Sequence, residues 1–360
     1  MNTTALLADR LTVARSTRLS RGFAVAMGVL AVALFALPAA VDMGVLRTVT
    51  EIAIYISLAT MWNLLGGYGG MVSIGQQAFI GGGGYLLFAM ANQGGVHPLL
   101  AWLLAVIICG AAAYPMSRVL FRLQGGHFAI GTWVVAEAVR LLASTSATLG
   151  GGSGMTLSAF TDTDPVDRAR MTYWLAIAVA FACVGGVYLL LRSRFGLALT
   201  AIRDNERAAA TSGIDVDRTK TIVYVIAAAG FAAAGGAYFM SNLRVTPDAA
   251  FSIQWSALLI FVVVIGGLGT VEGPIVGALL YLTIREWLSD YGSWYLMGLG
   301  AVAIVATLLA RNGLWGALTR NRHLECFPVQ RRVVQGTTSS APNSDRRGQL
   351  SPTTQPSETP

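Results

Sequence analysis

The sequence predicts an all-α polytopic membrane protein of about ten transmembrane segments, some broken or re-entrant, with both termini in the cytoplasm. Three observations predict it. Of the 360 residues 54% are hydrophobic and only 12% charged, against a charged share of ~25% in soluble domains. Apolar runs repeatedly reach the ~20 residues that cross a bilayer. The basic residues gather in alternate connections, as membrane topology requires.

In order, the apolar runs fall at 22–41, 45–65, 71–91, 98–117, 127–147, 171–191, 221–241, 253–268, 274–290 and 293–310. The third, fifth, eighth and ninth carry Gly, Gln or ionisable residues, so these are the ones expected to break or re-enter. The first ends in Leu37-Pro38-Ala39-Ala40, small residues that could mark a cleaved leader. Its long basic approach and its length instead favour a retained helix. The domain division that results is a cytoplasmic segment over 1–21, a membrane domain over 22–310 with a polar connection near 192–220, and a tail over 311–360. From about 336 onward the tail is Ser, Thr, Pro, Gln and Gly, a composition that cannot bury enough apolar surface to fold and is expected to be largely disordered.

With the N-terminus inside, nineteen of the 25 Lys and Arg residues lie in cytoplasmic connections or termini. Arg47, Arg168, Arg170 and Arg244 lie outside, and Arg140 and Arg285 fall within spans. The net charge of +7 therefore reads as topology and not as a nucleic-acid surface. Cys109, Cys183 and Cys326 are too few and too scattered for a disulfide framework or a zinc site, and His97, His127 and His323 lack metal-ligand spacing. Lys220-Thr221 ends like a phosphate-binding loop, but Thr219 stands where glycine is needed, and no Gly-x-Ser-x-Gly elbow is present. The residues give no enzyme signature, no metal site and no cofactor bound by this chain.

Two intramembrane features invite a functional reading. Glu137 and Arg140 are three apart on one helix face with Trp133 and Ser144. Ionisable residues inside a bilayer are costly unless paired, so the pair either lines a pathway or locks helices together. Ser73, Gln76 and Gln77 offer neutral donors and acceptors beside Gly75 and the run Gly81 to Gly84. Those glycines permit either close helix packing or a break that exposes backbone to a cavity. Gly66-Gly67-Tyr68-Gly69 and Gly266-Gly267-Leu268-Gly269 share a pattern that could mark paired breaks. The Gly150-Gly151-Gly152-Ser153-Gly154 loop, placed outside, is either a receiving surface or simply flexible.

The stretch from Arg194 to Ile214 mixes helix formers with charges of both signs and ends near Gly213, a residue suited to stopping a helix. It is either a solvated connection or a helix that docks in a groove of another protein. Within it, Arg194-Phe195-Gly196 followed by Ala201-Ile202-Arg203-Asp204-Asn205-Glu206 and Ala208-Ala209 closely resembles the cytoplasmic coupling loop of branched-chain amino acid ABC transporter permeases. Three more blocks agree in order. They are Trp62 to Gly70 with Ser73 to Phe79, Phe128 to Thr132 with Glu137, and Val264 to Gly269 with Gly273-Pro274, so the resemblance runs from about 50 to 310. Many relatives carry a histidine near Gln76 and a Gly-Pro or similar pair where this chain has Gly126-His127.

The resemblance implies a permease subunit of an importer in the bacterial cytoplasmic (inner) membrane. Its partners would be two ATPase subunits that use ATP, a second permease subunit, in all expectation a paralogous one, and an extracytoplasmic solute-binding protein, with no nucleic acid involved. Branched-chain amino acids would be the cargo, with urea, amides or aromatic acids in sister families. An ion-coupled carrier or channel is the reading of a different class, and it leaves the coupling-like loop without a purpose. On this resemblance Arg203, Asp204, Asn205 and Glu206 would make polar contacts with the ATPase, Ala208 and Ala209 would pack, and Gly213 would end the loop. Ser73, Gln76, Gln77, Glu137 and Arg140 would be candidates for the translocation path.

Overall fold

A computed structural model describes residues 11–14, 28, 31–160, 163–288, 298, 300–301, 304, 313–319 and 332–335. It is overwhelmingly helical, and among the described residues six helices are long and apolar enough to cross a membrane. The first expected span is described only at 28 and from 31 onward, and the expected span over 293–310 lies almost wholly outside the described residues, as does the tail beyond 335.

The chain divides into two units. In the smaller, strand β1 (Leu11–Ala14) pairs antiparallel with β4 (Arg332–Gln335), Leu11 opposite Gln335. The larger unit carries the membrane helices. Helix α1 (Met43–Asn63) continues into a π-helical turn at Leu64–Tyr68. After an irregular stretch come α2 (Gln77–Asn92), α3 (Pro98–Leu120) and α4 (Gly126–Thr145). Then follow β2 (Met155–Thr156), α5 (Pro165–Arg192), the short pair α6 (Arg194–Asp204) and α7 (Glu206–Thr211), and α8 (Val216–Asn242). The unit closes with β3 (Arg244–Val245), α9 (Pro247–Ala250), α10 (Gln254–Gly266), α11 (Gly273–Leu288) and α12 (Gly313–Thr319).

Helix starts follow capping chemistry where hydropathy is silent. Asp164 accepts from the Val166 N–H at 2.8 Å with Pro165 in the first turn, so α5 begins six residues before its apolar run. Asp215 does the same for α8 through the Arg218 N–H at 3.0 Å.

The core is built around α1 and α8. Their apolar windows are 78% and 67% buried, against 28% for α3 and α4, which face outward. Helix α8 packs on α2, α3, α1 and α5. The four-glycine run of α2 explains the closeness of the central contact. A Cβ at Gly83 would overlap the Ala232 backbone of α8, Gly84 sits against Phe239, and Gly81 against Phe251. Of the two uses open to these glycines, close backbone packing is the one found.

The glycine-rich loop before β2 is tied down by backbone hydrogen bonds. Gly151 N–H bonds to the Ser146 carbonyl at 3.0 Å, and Met155 pairs with Val245 of β3. Asn92 at the end of α2 ties in the same cap, donating to the Thr156 carbonyl at 2.8 Å and accepting from the Ser158 N–H at 3.0 Å. The start of the 311–360 segment, before the stretch expected to be disordered, is helical as α12, and it packs on α10 and α11.

Candidate functional site

The expected breaks begin where α1 loses its α-helical register. Gly69 N–H reaches the Leu64 carbonyl, five residues back, at 3.1 Å, and Met71 N–H reaches Leu65 at 2.9 Å. Such wide turns leave carbonyls free for other partners and cluster at functional positions. The chain then runs without helix through Met71 to Gly75. Non-helical backbone survives inside a membrane protein only where protein groups satisfy it. Here three helices do so: Trp62 of α1 donates from Nε1 to the Ser73 carbonyl at 3.2 Å, Thr132 of α4 accepts the Ile74 N–H at 3.1 Å, and Ser256 of α10 donates to the Ile74 carbonyl at 3.0 Å. Gly75 lies so close to the Thr132 carbonyl that no side chain fits between them.

This stretch delivers three of the expected path residues to one buried place. Ser73, Gln76 and Gln77 are 2%, 1% and 0% exposed. Ser73 Oγ accepts the Gly75 N–H at 3.2 Å, and Gln77 Oε1, 2.7 Å from Ser256 Oγ, shares that hydroxyl's one proton with the Ile74 carbonyl. Among the described residues, both amide atoms of Gln76 and the Nε2 of Gln77 have no hydrogen-bond partner. A buried amide left unpaired costs ~1–3 kcal/mol, so the two nitrogens are poised to donate to, and Gln76 Oε1 to accept from, something that enters.

Glu137 and Arg140 sit elsewhere, and their cluster is larger than the sequence indicated. Arg140 binds Glu137 at 2.6 Å and, from a different element, Asp248 of α9 at 2.9 Å. The side chains of Arg140, Glu137 and Asp248 are 27%, 41% and 85% exposed. Among the described residues, no hydrogen bond or ion pair links these three to Ser73, Gln76 or Gln77. Arg285, the other basic residue within a span, is held by both carboxylate oxygens of Glu51 on α1, at 2.5 and 2.7 Å. Asp248 and Glu51 are more than a hundred residues from their partners, beyond the reach of any local pattern.

The polar connection folds as two helices where the sequence suggested one. Ser193 caps α6, and Asn205 breaks the run with an extended backbone and caps α7, its Oδ1 accepting the Ala208 N–H at 3.1 Å. Gly213, at φ +84°, ends α7 in the left-handed region, and Ile214 N–H returns to the Ala209 carbonyl at 3.2 Å. Leu199, Ile202 and Ala209 are buried and seat the pair on the membrane helices. Arg203, Asp204, Asn205, Glu206 and Ala208 are exposed. Ala208 is thus open to a partner, while Leu199 helps seat the pair on its own chain. Glu206 is tied to Lys220 of α8 at 2.7 Å. A cavity of about 1030 Å³ lies beside α7, between it, the α3–α4 turn and Gly70–Val72.

Arg203 points back into the break. Its Nη1 donates to the Gly67 carbonyl at 3.0 Å, and its Nε and Nη2 reach Asp204 Oδ1 at 3.2 and 3.1 Å. One turn before Gly67, Asn63 accepts the Gly269 N–H at 2.9 Å and donates to the Thr270 carbonyl at 2.7 Å. The two Gly-Gly-x-Gly blocks are therefore in contact, with Asn63 between them and Arg203 against their outer face. A Cβ on Gly67 would stand 2.8 Å from the Gly269 nitrogen. The repeated pattern in sequence marked a junction whose partners the sequence could not pair.

The family described as branched-chain amino acid transport system / permease component matches residues 44–313. The chain is 27% identical over 328 residues to the high-affinity branched-chain amino acid transport system permease protein LivM of Salmonella typhimurium, covering 83% of this chain and 76% of the relative. The LivM protein of Escherichia coli K12 gives the same identity and coverage. A probable branched-chain amino acid transport permease protein LivM of Methanocaldococcus jannaschii is 24% identical over 224 residues, 59% of this chain and 64% of that one. No solved structure gives a significant match.

Proposed function

The chain belongs to the branched-chain amino acid transport permease family, and from that premise we propose that it is the permease subunit of an ATP-driven importer of leucine, isoleucine and valine. It is a multi-pass membrane protein. In the proposal it works in the cytoplasmic membrane with about ten crossing segments and both termini inside. Two separate ATPase subunits supply the energy of ATP, a second and paralogous permease completes the path, and an extracytoplasmic binding protein delivers the cargo.

The observation that carries the reading is the contact between an exposed helical pair and a break in the membrane helices, through Arg203 and the Gly67 carbonyl at 3.0 Å. A connection that merely joined α5 to α8 would need no such bond. An ATPase that grips Asp204, Asn205, Glu206 and Ala208 and then closes would shift α6 and α7 as a rigid body. Arg203 would hand that shift to Gly67, and Asn63 would carry it across to Gly269 and Thr270. The stretch Met71–Gly75, which follows the first break, would move with it and reset the surroundings of Gln76 and Gln77. Their neutral amides suit a zwitterion, which needs a donor and an acceptor and no net charge.

The test is uptake by vesicles holding the chain together with its ATPase, second permease and binding protein. ATP-dependent accumulation of leucine supports the proposal. Accumulation of urea with no aliphatic amino acid would move the substrate to a sister family, and transport without any ATPase would remove the importer reading.

A further inference from the structure

One face of α3 has no role in the proposed transport cycle. Leu100, Leu103, Ile107, Ala111, Tyr114 and Arg118 recur at steps of three and four, so they form a single stripe, and every one of them is exposed. The next position in the same rhythm, four residues beyond Arg118, is Arg122, also exposed. From Ile107 to Arg118 the stripe is about 16 Å long at ~1.5 Å per residue, roughly half of a ~30 Å hydrocarbon core.

The stripe ends in a built recess. A cavity of about 480 Å³ lies between the end of α3 and the start of α8, lined by Tyr114, Ser117, Arg118, Phe121, Arg122, Asp217 and Thr221. Arg118 is held in place there, with its guanidinium carbon 5.3 Å from the Tyr114 ring centroid and its Nη2 donating to the Tyr114 hydroxyl at 3.0 Å. Among the described residues neither Arg118 nor Arg122 forms an ion pair. The one carboxylate in the lining, Asp217, sits in the first turn of α8, where the helix N-terminus stabilises its charge. Among the described residues Thr221 has no side-chain hydrogen bond, so its hydroxyl is available to the recess. Two cations, one of them stacked and fixed, thus face one compensated anion.

The geometry points to a binding site for an anionic phospholipid, its phosphodiester held by Arg118 and Arg122 and its acyl chain laid along Tyr114, Ala111 and Ile107. Guanidinium groups bind phosphate through charge-assisted hydrogen bonds, and basic pockets between membrane helices favour anionic headgroups. A free anion would use the arginines and leave the aliphatic stripe without purpose. A helix of a neighbouring protein would use the stripe and leave the arginines unpaired. A lipid uses both. A second Tyr–Arg pair, Tyr188 and Arg192 at the end of α5, has its guanidinium 5.4 Å from the ring and supplies an internal reference. The inference needs only that α3 spans a membrane, and it stands or falls apart from the importer reading.

The experiment uses the full chain, purified with its partner subunits in phosphatidylethanolamine nanodiscs that carry a trace of headgroup-photoreactive phosphatidylglycerol. Crosslinks are mapped on α3 and, for reference, on the end of α5. Labelling near Arg118 and Arg122 should fall relative to α5 by roughly fivefold per arginine, about 25-fold in Arg118→Gln/Arg122→Gln. Arg118→Lys/Arg122→Lys should keep most of it. The proposal is overturned if the glutamine pair labels as strongly as the unaltered chain, if inorganic phosphate displaces the lipid at equal concentration, or if α3 crosslinks to a second permease in place of lipid.

Discussion

Replacing Arg203 by alanine tests the transmission route at its narrowest point. The side chain makes two kinds of contact, and they differ in value. The bond from Nη1 to the Gly67 carbonyl, 3.0 Å long and partly buried, is of the charged type that contributes ~1.5–3 kcal/mol. Because Arg203 is 39% exposed, the lower end, about 1.5 kcal/mol, is the fitting value. The pair with Asp204, itself 71% exposed, is a surface contact that contributes less than ~1 kcal/mol and joins neighbours on one helix. Losing the first bond should therefore unseat α6 from the break by about tenfold in equilibrium terms. Leu199 and Ile202 keep the helix folded against its neighbours. In vesicles with the partner subunits, Arg203→Ala should assemble and hydrolyse ATP while substrate moved per ATP drops about tenfold. Arg203→Lys, which keeps a charged donor, should fall between the two. An unchanged ratio of uptake to hydrolysis, with assembly intact, would refute the route through Gly67.

Further predictions concern four other positions. Gln76→Leu removes two unpartnered buried amide atoms, so the variant should be more heat-stable by ~1–3 kcal/mol while uptake falls, read by thermal unfolding beside transport. Gly213→Ala meets no neighbour but must hold φ at +84°, costing about 1 kcal/mol and loosening the end of α7, which proteolysis of the 206–216 connection would report. Gly83→Val would drive a branched side chain into the Ala232 backbone, and the overpacking, ~1–3 kcal/mol or more, should reduce the yield of folded protein on size-exclusion chromatography. Glu137→Gln keeps an acceptor for Arg140 but leaves Asp248 as the one carboxylate paired with it among the described residues. If the cluster only fastens α4 to α9, stability drops modestly with uptake per folded molecule unchanged, whereas a path role predicts lost uptake.

The membrane helices were legible because burial in lipid and protein writes itself as apolar runs. The runs at 98–117 and 221–241 find α3 and α8 within a few residues. Their ends were less legible, since α5 and α8 begin in polar turns set by Asp164 and Asp215, where capping and not hydropathy decides. The run at 71–91 was expected to break, and it does up to Gly75, but the groups that satisfy the break could not be read from it, because they come from Trp62, Thr132 and Ser256 on three other helices. The same limit governs the site. The glycine blocks, Gln76, Gln77 and the Arg203 loop could each be picked out, but their assembly rests on Asn63 meeting Gly269 and Thr270 about two hundred residues away. Arg203 shows the limit most plainly: an exposed, charged loop residue reads as a contact for another protein, while one of its nitrogens faces inward.

The most direct test of the account is the coupling of transport to ATP by a complete complex containing this chain. Vesicles bearing the chain, its second permease and the ATPases inside, with the binding protein outside, are loaded with ATP and offered labelled leucine. The account predicts leucine accumulation against a gradient that requires ATP, is lost when the ATPase is omitted, and is weakened in Arg203→Ala while hydrolysis persists. Accumulation driven by an ion gradient in vesicles that contain this chain and no ATPase would contradict it.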